Sequence, residues 1–193
     1  MKLKFGQTQK GDILHFFVFL ASLAEVFTNP EEHQIANGPS LSTLPVFGVE
    51  WGVAFTVKLA NFSEGYAHCL DLVKESGQAI AKVVLTSDKK FRVIFGYPFL
   101  DIDTDYIEDS SLQSLGEWSK LEIAQVTQGR ITNIVFMKDG NIVGTLENPH
   151  PKNISGVEVF VVKPDITPQT GTIKELTIRT GLSGSNIYPK VSR

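Results

Sequence analysis

The residues best suited to chemistry lie together in Asp101-Ile102-Asp103-Thr104-Asp105-Tyr106-Ile107-Glu108-Asp109. Carboxylates at i, i+2 and i+4 point to one side of an extended strand and converge where the chain turns. Asp101, Asp103 and Asp105 can therefore supply oxygens to a hard cation such as calcium. The segment is not an EF-hand, because the Gly required at the sixth position and the Glu required at the twelfth are Tyr106 and Leu112. The competing reading is a solvated acidic edge that discourages strands of different molecules from pairing. Tyr97, Phe99 and Tyr106 flank these carboxylates. An apolar wall beside a few placed polar groups is how small polar ligands are held, so Tyr97, Tyr106 and Asp101 are the candidate ligand-binding residues. The alternative is that the same aromatics fill a sheet rim.

Other catalytic constellations are poorly supplied. The four histidines are His15, His33, His68 and His150, with no His-Glu-x-x-His or Cys-x-x-Cys spacing among them. His68 and Cys69 are neighbours on an expected strand, so they point to opposite faces and cannot form a thiolate pair. Cys69 is the only cysteine, which excludes an internal disulfide; in His-Cys-Leu-Asp-Leu it reads as a small buried hydrophobe. The other reading, an intermolecular disulfide, requires Cys69 at the surface.

These residues must be positioned by β-strands. From Gly116 to Asn148, Leu121, Ile123, Ile134, Phe136, Ile142 and Leu146 recur at even spacing, and Asp139-Gly140 stands where two such strands reverse. An Asp-Gly pair accepts the positive φ values of a tight hairpin. Trp51, Val53, Phe55, Val57 and Leu59 alternate against Gly52, Ala54, Thr56 and Lys58. Tyr66 to Lys74, Gln78 to Thr86, Phe91 to Phe95 and Val157 to Val161 read as further strands. The last strand holds Ile173, Leu176 and Ile178, and the odd step between Ile173 and Leu176 predicts a bulge. Trp51 and Trp118 are both assigned to the core. The fold class is all-β: a two-sheet antiparallel sandwich.

The strand that opens on Glu117-Trp118 and closes on Gln125, the Asp-Gly hairpin, and the Glu147-Asn148 pair before a Pro-containing loop resemble the laminin-G-like members of the concanavalin A-like lectin and glucanase superfamily. Phe47 to Leu72 is similar to the first core strands of such domains, and Val157 to Thr180 to the last two. The resemblance spans Phe47 to Gly181 and implies a jelly-roll sandwich, glycan recognition and calcium in rim loops. Hydrolases of this fold carry Glu-x-Asp-x-x-Glu on one strand. No such run exists here, so the expectation is a non-catalytic module that binds a glycan or a glycosylated matrix partner. A protein–protein adhesion module that binds no sugar is the second reading, and a glycoside hydrolase the third. The short Lys74-Glu75-Ser76-Gly77-Gln78 link replaces the longer Gly- and Asn-rich loop common in the family.

Lys2, Lys4 and Lys10 precede an apolar run of about 12 residues from Ile13 to Ala24, too short to span a bilayer, with small Ser22 and Ala24 where a signal peptidase cuts. The expected organisation is a signal peptide over 1–24, an extended leader over 25–45, a sandwich over 46–182 and a tail over 183–193. Removing Lys2, Lys4, Lys10 and Asp12, net +2, takes the formal charge from −3 to −5. With no Lys/Arg cluster on a mildly acidic chain, nucleic acid and anionic lipid are excluded as main partners. In a secreted, extracellular protein, Asn61-Phe62-Ser63 and Asn153-Ile154-Ser155 are glycosylation sequons, with Asn61 and Asn153 as acceptors.

Overall fold

A computed structural model describes residues 24–96 and 105–181. Among them there is no helix, and thirteen strands form two antiparallel sheets. The strands are β1 (Ala24–Asn29), β2 (His33–Gln34), β3 (Ser42–Phe47), β4 (Glu50–Leu59), β5 (Ala67–Lys74), β6 (Ala79–Leu85) and β7 (Phe91–Phe95). They continue with β8 (Asp105–Glu108), β9 (Trp118–Gln128), β10 (Ile131–Lys138), β11 (Asn141–Glu147), β12 (Ile154–Phe160) and β13 (Gly171–Gly181). The seven-stranded sheet runs β1-β13-β4-β9-β10-β11 with β2 also on β13, and the six-stranded sheet runs β3-β12-β5-β6-β7-β8. This is the expected two-sheet sandwich.

Alternation explains the core. Trp51, Val53, Phe55, Val57 and Leu59 of β4, Leu121 and Ile123 of β9, and Ile134 and Phe136 of β10 meet Leu70, Leu72, Val83, Phe91, Val93 and Phe95 from the facing sheet. Phe47 lies 4.9 Å from Trp51, ring centroid to centroid. Burying each large side chain here contributes about 1.5–3 kcal/mol. The Asp139-Gly140 turn is as expected, with φ of 49° and 77°, and closes β10 onto β11.

Three expectations are corrected. Residues 25–45 are not a leader lying outside the elements: β1 and β2 pair with β13, and β3 pairs with β12 as an edge strand. The prolines that suggested a loop sit at edges or between strands, where a missing N–H costs no ladder bond. Ile142 does not share the core face of Leu146, because a register shift between Phe136 and Met137 moves it to the other side. There it packs with Ala124, Val126, Val135 and Met137 in a second apolar cluster. The third correction concerns Trp118. It stands an odd number of residues from Leu121 and Ile123, so its side chain leaves the core and is 37% exposed.

The two sheets are tied at the corner where β8 approaches β11. Gly144 meets Ile107 so closely that a Cβ there would lie 2.6 Å from the Ile107 Cγ2. Asp109, just past β8, accepts Lys138 Nζ of β10 at 3.3 Å.

Candidate functional site

Tyr97, Asp101 and Asp103 lie outside the described residues. Asp105 opens β8 with its backbone opposite Phe95. The two remaining acids of that run have structural partners. Glu108 takes the Arg92 Nε at 2.9 Å and its Nη2, with Lys90 at 3.7 Å from the other oxygen. Asp109 accepts the Ser111 backbone N–H at 2.9 Å, the Ser111 hydroxyl at 2.7 Å and Gln113 Nε2 at 2.8 Å. Burial alone would raise the Asp109 carboxyl, but these hydrogen bonds and Lys138 outweigh it and hold it below the usual carboxylate range. Among the described residues no group of three His, Cys, Asp or Glu side chains could hold a metal ion.

Tyr106 is half exposed on the outer face of the six-stranded sheet. Its ring centroid lies 4.2 Å from the Arg92 guanidinium carbon, and that of Tyr66, also half exposed, lies 5.3 Å from it. Arg92 Nη1 donates to the Tyr66 hydroxyl at 2.6 Å.

A concavity lies on the opposite side of the molecule, on the outer face of the seven-stranded sheet. Register sets four rows across β13, β4 and β9: Thr172–Lys58–Trp118, Lys174–Thr56–Lys120, Thr177–Ala54–Glu122 and Arg179–Gly52–Ala124. The central strand carries the smallest side chains of the lower rows, Gly52 and Ala54, while longer ones rise on either side. The result is a trough of about 230 Å³ lined by Gly52, Ala54, Lys120, Glu122, Glu175 and Arg179.

The predicted bulge in β13 shapes one wall. Register shifts between Lys174 and Thr177, and Glu175 takes φ of 56°, the one positive φ of a non-glycine residue inside a described strand. A residue with a Cβ in this region costs about 1–2 kcal/mol. The extra residue lets both Lys174 and Glu175 serve the outer face while Leu176 returns to the core. Glu175 Oε2 accepts the Thr56 hydroxyl at 2.9 Å. Lys120 pairs with Glu122 at 3.0 Å and Lys174 with Glu175 at 3.6 Å.

One row beyond Lys120 on β9 stands Trp118, with the Lys58 and Lys174 ammonium groups each 4.6 Å from its ring centroid. Each such contact is worth about 0.5–1 kcal/mol at an exposed site. Lys58, Lys120, Lys174 and Arg179 share this face with Glu122, Glu175 and, two residues before Gly52 on β4, Glu50, so it interleaves cations and carboxylates. The arrangement offers an aromatic surface, donors from lysine, arginine and threonine, and carboxylate acceptors.

None of the trough residues was selected from sequence. The parity of Trp118 against Leu121 and Ile123 was the available signal, and the small pair Gly52 and Ala54 on the polar side of β4 was the second. Tyr66 was missed because it precedes its strand and reaches Arg92 only through the fold.

Cys69 is fully buried, and burial pushes its thiol up, so the reading that needed it at the surface is removed. His68 Nδ1 lies 2.7 Å from the buried Asp71 carboxylate, not against Cys69. Asn61 and Asn153 are both exposed. Asn153 Oδ1 accepts the Val49 N–H at 2.9 Å, a bond that a sugar on Nδ2 would leave intact. No described helix is long and apolar enough to cross a membrane.

No protein-family model matches the chain, and no curated protein matches it by sequence. Solved structures resemble it in fold. A heptameric SAP-like pentraxin from Limulus polyphemus matches over 76% of this chain and 74% of its own, with a TM-score of 0.57 at 15% identity. The CBM40 of a Ruminococcus gnavus IT-sialidase, bound to α2,3-sialyllactose, covers 80% of this chain and 94% of its own, with a TM-score of 0.53 at 8% identity. The same module bound to α2,6-sialyllactose gives 0.52 at 8% identity over 81% and 95% of the two chains. The concanavalin A-like β-sandwich is thus the fold of this protein.

Proposed function

We propose that this chain is a non-catalytic glycan-binding module that takes an oligosaccharide along the trough on the outer face of its seven-stranded sheet. The observation that carries this reading is the trough floored by Gly52 and Ala54, with the exposed Trp118 one row beyond Lys120 in its wall. The ring offers a stacking surface to the C–H face of a pyranose, and the flanking donors and acceptors match its hydroxyls. The lysine and arginine donors can also meet a sugar carboxylate through charge-assisted hydrogen bonds. Lectin-like neighbours, including one bound to sialyllactose, support the same class.

Glu122 and Glu175 stand on strands separated by β4, and each already pairs with a lysine of its own strand. This supports binding over hydrolysis. Calorimetric titration of the purified chain with α2,3-sialyllactose and with lactose tests the reading. Sialyllactose should bind at least ~10-fold more tightly, equivalent to about 1.4 kcal/mol. Trp118→Ala should abolish the difference at unchanged fold, and neither sugar should be cleaved. An intact fold that binds no member of an acidic-glycan array would remove the glycan reading and leave the protein–protein adhesion module.

Secretion belongs to the same proposal, with cleavage after Ala24, a glycosylated extracellular partner and glycans on Asn61 and Asn153. Cleavage there would keep Glu25–Asn29 of β1 on β13. Mass spectrometry of chain secreted from a eukaryotic host should find Glu25 at the N-terminus. Calcium at Asp101, Asp103 and Asp105 is proposed on the fold resemblance alone. It predicts a higher thermal midpoint with calcium than with EGTA; equal midpoints would remove it.

A further inference from the structure

The outer face of the six-stranded sheet carries a second arrangement that the trough does not use. Tyr66 and Tyr106 are 53% and 50% exposed, yet both rings are tied to one guanidinium. Exposed tyrosines ordinarily rotate freely, and stacking a ligand on them costs that freedom. Here Arg92 lies against both rings and donates to the Tyr66 hydroxyl, while Glu108 fixes the guanidinium from the facing position on β8. The rings are therefore oriented before any ligand arrives.

Arg92 and Lys90 share the single carboxylate of Glu108. Arg92 directs Nε and Nη2 to Glu108 and Nη1 to Tyr66, bonds that fix the guanidinium plane against the rings. The Tyr66 hydroxyl, having accepted from Arg92, keeps its own proton to donate. What remains is a pair of aromatic faces, one hydroxyl donor and the Glu108 and Lys90 groups at the margin. Val84 of β6, in register with Arg92, is fully buried beneath this face.

We propose that Tyr66, Arg92 and Tyr106 form a second saccharide platform, independent of the trough and able to take an uncharged sugar by stacking. The proposal rests on the glycan-binding reading but not on its site. Because the two platforms lie on outer faces of opposite sheets, one molecule can hold two glycans pointing away from each other, and multivalent glycans would then bind with avidity.

The test is a heteronuclear NMR titration of the purified chain with lactose, maltohexaose and chitohexaose, and separately with α2,3-sialyllactose. At least one neutral sugar should shift the Arg92 Nε–H resonance and the amides of β7 and β8. Tyr106→Ala should weaken that response at least ~10-fold, Tyr106→Phe should restore it, and Trp118→Ala should leave it unchanged. Sialyllactose shifts confined to the trough, with no neutral sugar moving β7 or β8, would overturn the second platform while keeping the first. No response to any sugar at either face would overturn both. Concentration-dependent shifts at Tyr66 and Tyr106 without sugar would instead assign this face to contact between copies of the chain.

Discussion

The two outer faces of the sandwich use their aromatic and cationic residues in opposite ways. On the seven-stranded sheet, lysines sit over an indole beside a trough left open by Gly52 and Ala54. On the six-stranded sheet, Arg92 lies against two phenol rings and is held by Glu108. The first face has open volume, whereas the second has an oriented aromatic surface. The difference arises from the strand at the centre of each group. β4 presents almost nothing outward in its lower half, and β7 presents an arginine. A single alternation of large inward and variable outward residues thus yields two chemically distinct surfaces.

The comparison can be broken first by removing what both faces share. Asp109→Asn loses the charge that draws Ser111, Gln113 and Lys138 together at the corner joining the sheets. It should cost about 2–4 kcal/mol, or roughly 5–15 °C of midpoint in a chain of this size, and both faces should weaken together. The folded carboxyl is held below its ordinary value, so its contribution is present above about pH 4 and is lost as pH falls through the folded pKa. Melts at pH 7 and pH 3 should therefore show a large gap between variant and parent at the first and a smaller one at the second. An equal gap at both would mean that shape, not charge, holds the corner.

A narrower change should separate the faces. Ala54→Leu fills the trough floor from a half-buried position and should reduce sialyllactose affinity at least ~10-fold with less than about 1 kcal/mol of stability change. The Arg92 Nε–H resonance should not move. Loss of both responses would mean that the faces are coupled through the sandwich.

The smallest effect is expected at the bulge. Glu175→Gly relieves the positive φ but removes the acceptor for Thr56. Chemical denaturation should place the variant within about 1 kcal/mol of the parent, while affinity at the trough should fall a few-fold. A variant both more stable and fully binding would show that the strained glutamate shapes nothing.

What the sequence determined by itself was the fold class, because period-two alternation and turn residues are local signals that survive without knowledge of partners. β4, the Asp139-Gly140 hairpin and the β13 bulge were all legible for that reason. Edge strands were not: β1 and β3 carry weak alternation and prolines, and they exist because β13 and β12 offer open hydrogen-bonding edges. The site was less legible still. A trough is a property of three strands brought side by side, and its rows join Arg179 to Gly52 to Ala124 across more than a hundred residues of chain. The tyrosine pair depends likewise on β7 lying between β6 and β8. Local sequence sets which side of a strand a residue occupies, but register and strand order decide its neighbours there, and binding is a property of those neighbours.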